Sequence, residues 1–270
     1  MQSAPQPSPP PPSEPAAIYL TIVIPCYNEA DRIGNTLAQA AAFLAAQPYQ
    51  SELVLVDDGS RDNTPQLISE FARQATANVR LLAQPQNRGK GHAVRTGVLA
   101  GQGEFVLVTD ADLPTPLEQV ERLLAPLQCG EAQVAVGSRN LGGSEVRRPG
   151  IRTLLSHGFN LCVRLAGIRG LRDTQCPFKL FPRDVAQAVF PLQRLEGWGF
   201  DVEIIRLCQL RGYRIAEVPV DWTYASGSKM KLLRDARRML RELGRVRLNE
   251  WRGLYREAAR PTPPPPPASG

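Results

Sequence analysis

The chain has 270 residues, 43% hydrophobic and 21% charged, a composition suited to a packed soluble core and not to a disordered polymer. Its formal charge is +6, yet residues 229–260 alone carry a net +7, which leaves the remainder near neutral. That distribution argues against a nucleic-acid binder with a basic face across the fold and for a local anionic partner, and the absence of a long uninterrupted apolar run argues against a spanning helix.

In chain order, residues 1–17 form a Pro-rich arm, expected to be disordered and partly polyproline II. The arm has neither the basic start nor the apolar run of a secretory signal. Residues 259–270 read as a similar Pro-rich tail. Between them, apolar strands alternate with helices. Strands are predicted at 20–26 (LTIVIPC), 52–57 (ELVLVD), 79–83, 104–109 (EFVLVT) and 133–137, and helices at 30–47, 64–74, 90–100 and 116–127. Short continuous apolar strands separated by helices imply a parallel α/β sheet covered on both faces. Ligands of such sheets bind beyond the carboxyl ends of the strands, so the polar residues there should hold the chemistry. The cysteines, Cys26, Cys129, Cys162, Cys176 and Cys208, are odd in number and scattered, with neither metal-ligand spacing nor a disulfide framework, which fits a reducing, cytoplasmic compartment.

The first strand ends in Pro25-Cys26-Tyr27-Asn28-Glu29, with no GxGxxG and no P-loop. The second ends in Asp57-Asp58-Gly59-Ser60 followed by Asp62, which fits either an acid that accepts hydrogen bonds from a ribose or base, or an Asx turn leading to a helix N-cap. Asn87-Arg88-Gly89-Lys90-Gly91-His92 opens the next helix and offers free N–H groups and cations to a phosphate or a uracil-like ring, or else forms a solvated loop. His92 receives no catalytic role. The fourth strand ends in Thr109-Asp110-Ala111-Asp112. Two carboxylates spaced i, i+2 repel unless separated or neutralised. A hard divalent cation, Mg²⁺ or Mn²⁺, solves this while bridging to a diphosphate. A helix cap with a loop acid is the plain alternative for the pair alone. Taken together, Asp57, Asp58, Lys90, Asp110 and Asp112 should line one edge of the sheet, as a nucleoside diphosphate with its metal would require.

These segments (IPCYNEADRI, LVLVDDGSRDNT, NRGKGHAVRTG and VTDADL) resemble the inverting family 2 glycosyltransferases of GT-A fold. AVGSRN, RDTQCPFKLF, GFDVEII and EVPVDW followed by SGSKMKLLRDARRML are similar to the dolichyl-phosphate β-glucosyltransferase branch and to polyprenyl-phosphate mannosyltransferases. The resemblance implies a glycosyltransferase domain over residues 18–228 and a basic amphipathic helical region over 229–258. It implies that Pro25, Tyr27, Asn28 and Glu29 line the nucleoside pocket and that Asp57 and Asp58 bind base and ribose. Lys90 would stand near the base or diphosphate. Asp110 and Asp112 would flank Ala111 as the metal-binding DxD pair, with Asp112 the direct ligand. Arg139, Arg152 and Ser156 would grip an acceptor phosphate, and Ser228 and Lys229 would close over the diphosphate or acceptor. Asp201 stands where related enzymes keep a general base, and a structural role for it stays open. Two departures stand out: Pro114 replaces a Gln that helps bind metal in relatives, and Pro177 replaces a Gly, which fixes φ and removes a donor.

The implied reaction moves a hexose, glucose from UDP-glucose, onto a polyprenyl phosphate. GDP-mannose or a soluble hydroxyl acceptor are the alternatives, and a non-catalytic nucleotide-sugar-binding scaffold is the alternative of another class. A phosphate acceptor is already ionised near neutral pH, so it needs positioning more than deprotonation. Ile151–Ile168 reads as an interfacial or a core helix. Leu232, Ala236, Met239, Leu243 and Val246 form one stripe of a helix whose other faces carry Arg234, Arg237, Arg238, Arg241 and Arg245. That pattern fits peripheral attachment to an anionic membrane surface, or ordinary packing on the domain.

Overall fold

Successive side chains of a strand point to opposite faces of its sheet, so a strand apolar at every position must be covered on both sides. The structure, a computed structural model, describes residues 17–142, 168, 170–223 and 232–255, with the side chains of the last segment described from 241 onward. Arg152, Ser156, Ser228, Lys229, both Pro-rich ends and nearly all of the Ile151–Ile168 segment lie outside the described residues.

The strands are β1 (Leu20–Cys26), β2 (Ser51–Asp57), β3 (Asn78–Ala83), β4 (Phe105–Val108), β5 (Val134–Ser138), β6 (Lys179–Pro182) and β7 (Ile215–Pro219). The helices are α1 (Ile33–Ala46), α2 (Thr64–Gln74), α3 (Lys90–Ala100), α4 (Val120–Gln128), α5 (Arg183–Val189), α6 (Phe200–Leu210) and α7 (Leu232–Trp251). Each strand predicted from the sequence is present, the first with the expected ends and the others with ends shifted by at most one residue. The helix expected over 116–127 opens instead as a 3₁₀ turn, Leu117–Gln119, before α4.

The described strands form one sheet in the order β3-β2-β1-β4-β6-β5-β7. All pairings are parallel except those of β6, which runs antiparallel to both β4 and β5. Its four residues, KLFP, carry a lysine and a proline, and so send no strong strand signal.

The two faces make two cores. Leu20, Ile22, Ile24, Leu53, Leu55 and Leu107 pack under Ile33, Leu37 and Phe43 of α1, Ile68 of α2 and Leu123 of α4. Val23, Val54, Val56, Val106 and Val108 face Ala93, Val94 and Val98 of α3, Val185 and Val189 of α5, and Ile204 and Leu207 of α6. Burying one such side chain contributes about 1.5–3 kcal/mol. Gly97 lets α3 sit close to the sheet: a Cβ there would be 2.4 Å from Val23 Cγ1.

Register places the site. Cys26 is opposite Asp57, Asp57 is opposite Ala83, and Val23 is opposite Val108. The chain therefore leaves β1, β2, β3 and β4 on the same edge. At the other end of the sequence, α7 packs its Val246 into the second core, and Leu243 is buried in a smaller cluster with Val202 and Ile205 of α6. In this part of the helix the apolar stripe is spent on the domain.

Candidate active site

The segments leaving β1 and β2 are stitched together. Asn28, with φ of 54°, donates its N–H to Ser60 Oγ (2.9 Å) and accepts the Arg61 N–H at Oδ1 (2.8 Å). Such a left-handed backbone suits asparagine better than most residues. Glu29 N–H donates to Thr64 Oγ1 (2.8 Å), and Asp62 accepts the N–H groups of Ala30 and Thr64. Tyr27 stays exposed between them. Asp57 is buried and accepts the Ser60 N–H (3.1 Å) at one oxygen, while its other oxygen, Oδ1, has no partner among the described residues. A buried acceptor left open costs stability unless a ligand donor meets it. Asp58 is different, because Asn87 Nδ2, Arg88 N–H and Gly89 N–H all donate to it at 2.8–2.9 Å. Its carboxylate shapes the loop that opens α3.

That loop delivers Lys90, whose ammonium is 2.5 Å from Asp110 Oδ1 and 4.9 Å from the Trp198 ring centroid. Burial alone would lower its pKa, but the charges of Asp110 and Asp201 outweigh burial and hold it above the ordinary value. Asp110 and Asp112 follow β4, both partly exposed. Ala111 between them is buried, and its carbonyl accepts the Thr36 hydroxyl. Asp112 is lifted above the usual carboxylate range by burial and then by the charge of Asp110, against the pull of Arg32, whose Nη1 is 4.0 Å away. Arg32 also grips Glu29. Pro114, the first departure, uses its carbonyl to accept the Thr223 N–H (2.8 Å).

Asp201, in the first turn of α6, is buried and paired with the equally buried Lys179 at 2.5 Å. Lys179 also donates to the Cys176 carbonyl. Carboxylate and ammonium thus alternate through Asp110, Lys90, Asp201 and Lys179. Arg139, just past β5, makes a two-pronged pair with Asp173 (2.7 and 2.9 Å) and stacks 4.7 Å over the Trp222 ring. Burial alone would raise the Asp173 carboxyl, but the Arg139 hydrogen bonds and charge overcome it and hold the group below its ordinary range. Pro177, the second departure, is buried beside Phe178, whose carbonyl accepts the Gly137 N–H (2.7 Å). Burial pushes the Cys176 and Cys208 thiols up to about 12 and Cys26 higher still, which removes these three as nucleophiles.

Asp57, Asp58, Lys90, Asp110 and Asp112, expected along one edge, lie together there. Arg32, Asp173, Lys179 and Trp198 each contact a site residue without being singled out by a motif. A signal for Lys179 was present: a lysine inside an apolar strand is expensive unless a carboxylate meets it. Among the described residues no group of three or more His, Cys, Asp or Glu side chains forms a metal cage. The donor set nonetheless suits Mg²⁺ or Mn²⁺, which take hard oxygens from one or two carboxylates and the rest from substrate phosphates and water. A cavity of about 280 Å³ is walled by Arg88, Arg194, Glu196, Glu242 and Arg245 and touches none of the strand-end carboxylates, so it is a separate feature.

Comparison with known proteins agrees with this architecture. Residues 21–190 match the family described as Glycosyl transferase family 2. A dolichyl-phosphate beta-glucosyltransferase of Saccharomyces cerevisiae is 39% identical, over 89% of this chain and 77% of its own. Its counterparts in Dictyostelium discoideum and Homo sapiens are each 36% identical, over 88% of this chain and 77% of theirs. Among solved structures, mannosyl-3-phosphoglycerate synthase from Rubrobacter xylanophilus superposes with a TM-score of 0.64 at 19% identity, over 87% of this chain and 74% of that one. Glucosyl-3-phosphoglycerate synthase from Mycobacterium tuberculosis, in complex with Mn²⁺, UDP and glucosyl-3-phosphoglycerate, gives 0.62 at 19%, over 91% and 82%. These likenesses establish a GT-A-like fold.

Proposed function

The chain belongs to glycosyltransferase family 2, and from that premise we propose that it transfers glucose from UDP-glucose to a dolichyl-type polyprenyl phosphate with inversion at the anomeric carbon. The observation that carries this reading is the row of Asp57, Lys90, Asp110 and Asp112 at one sheet edge, in a chain whose relatives are named for that lipid. Open Asp57 Oδ1 would accept an N–H of the base, with Pro25, Tyr27, Asn28 and Glu29 around it and Asp58 holding the loop beneath. Asp110 and Asp112 would hold Mg²⁺ or Mn²⁺, which when bound offsets the charge growing on the departing diphosphate. Lys90, pinned by Asp110, adds a fixed positive charge at the same place.

The acceptor side favours a phosphate. Asp201 is held by a buried lysine, so its carboxylate is already engaged within the protein. A phosphate monoester brings its own charge, so the displacement needs alignment in place of a base. Arg139, oriented by Asp173 and Trp222, is assigned to that alignment, because guanidinium matches phosphate geometry. Arg152, Ser156, Ser228 and Lys229 keep the roles implied by the resemblance. Among the described residues no helix is long and apolar enough to cross a membrane. Peripheral attachment at the cytoplasmic face would bring the domain to its lipid.

The test is incubation of the chain with radiolabelled nucleotide sugars, dolichyl phosphate and Mn²⁺, followed by solvent extraction. Label from UDP-glucose in the organic phase is the expected result. Label only from GDP-mannose changes the donor, label only on soluble hydroxyl acceptors changes the acceptor, and metal-dependent binding without transfer to any acceptor leaves a scaffold.

A further inference from the structure

Helix α7 has two unlike faces. Glu242, Leu243 and Val246 are buried against the domain. On the opposite side helical spacing puts Arg241, Leu248 and Arg252 in one row, with Arg245 beside it at the rim of the cavity it shares with Arg88, Arg194 and Glu196, and with Trp251 one turn from Leu248. All five are exposed, Trp251 by 83%. Leu254, just beyond the helix, is exposed as well. The two carboxylates of this stretch are withdrawn from that face: Glu242 is buried and accepts the Gly199 N–H, and Glu250 is paired with Arg206 and Arg247. The outward face is therefore cationic, with an uncovered indole at its C-terminal end.

We propose that this outward face of α7, and not the apolar stripe, docks on an anionic lipid bilayer, with Arg241, Arg245 and Arg252 among the headgroups and Trp251, Leu248 and Leu254 in the interfacial layer. Two observations choose this occupant. The net positive charge is concentrated in one segment while cations and anions balance over the rest of the chain, which favours a local anionic partner over an extended nucleic-acid backbone. An exposed tryptophan on the same helix as exposed arginines puts an apolar body beside polar groups, the combination that a bilayer interface accepts and bulk water does not. The proposal rests on the lipid-acceptor reading for its purpose, though not for its geometry. It also gives that reading a connection to the site: Glu242, on the same helix, holds the Gly199 N–H at the start of α6, one residue from Trp198 and two from Asp201.

The experiment is vesicle sedimentation of the full chain with phosphatidylcholine alone and with added phosphatidylserine, at low and high salt. Binding is expected on the anionic vesicles only, weakened by salt, and accompanied by a blue shift in tryptophan emission that Trp251→Phe removes. Neutralising Arg241, Arg245 and Arg252 together as glutamine should weaken partition by roughly 100-fold, about fivefold each. Trp251→Ser with Leu248→Ser should weaken it as well. Neither set should change the unfolding temperature or the turnover of a short water-soluble prenyl phosphate. Equal binding to neutral vesicles, no binding to either, unchanged partition of the triple variant, or preference for RNA or an acidic peptide over the vesicles overturns the proposal. Because the vesicle measurement needs no turnover, its failure is distinct from failure of the transferase assay.

Discussion

Removing the Lys179 ammonium tests the interior of the site most directly. In Lys179→Met the methionine fills nearly the same volume, but Asp201 loses its ion pair while 5% exposed. An uncompensated buried charge costs about 3–5 kcal/mol when one partner is deleted. For a domain of this size that corresponds to a fall of about 6–20 °C in melting temperature. Thermal and urea unfolding of the wild type, Lys179→Met, Asp201→Asn and the double variant make a complete cycle. The double variant has no buried charge at this position and should recover most of the loss. Its turnover then decides what Asp201 does: a drop below about tenfold fits an anchoring anion, whereas a loss of about 10²–10⁴ is the signature of a removed general base. The reasoning is refuted if Lys179→Met costs less than about 1 kcal/mol, or if the double variant is no more stable than the single one, since either outcome means the pair is not the desolvated contact described.

Three further outcomes follow from the same geometry. Asp112→Ala should abolish transfer while leaving melting temperature near wild type, because the side chain is partly exposed, and chelation followed by Mn²⁺ addition should switch wild-type activity off and on. Asp173→Asn should cost stability at neutral pH. The folded carboxyl is depressed by Arg139, so its contribution is fully present above the unfolded value of about 3.9 and vanishes as pH falls through the folded value; the two proteins' urea midpoints should converge in acid and stay apart above about pH 5. Gly59→Ala should destabilise by more than the roughly 1–2 kcal/mol of a left-handed alanine, since φ is +69° and the new Cβ would stand 2.5 Å from the Gln86 carbonyl carbon; urea unfolding measures it, and wild-type stability would contradict the close approach.

Much of this protein could be read before any coordinates. Continuous apolar strands such as LTIVIPC and ELVLVD have one stable arrangement, a sheet covered on both faces, and such a sheet gathers the residues that follow its parallel strands. Asp57, Lys90, Asp110 and Asp112 were legible for that reason. The antiparallel course of β6 was not, because KLFP carries little strand propensity and its place is decided by neighbours already paired. The partners of charged groups were hidden too. Lys179 and Asp201 are 22 residues apart, Arg139 and Asp173 are 34 apart, and Asp58 meets a loop 29 to 31 residues away. The amphipathic pattern of α7 was visible, but a helix pattern shows only that two faces differ. Packing against α6 and the second core took Leu243 and Val246 inward and left Trp251 with its arginines facing out. Local pattern selects the elements because it acts within a turn or a strand. The pairing of distant charges, and the choice of which face is buried, depend on contacts that exist only once the chain has closed on itself.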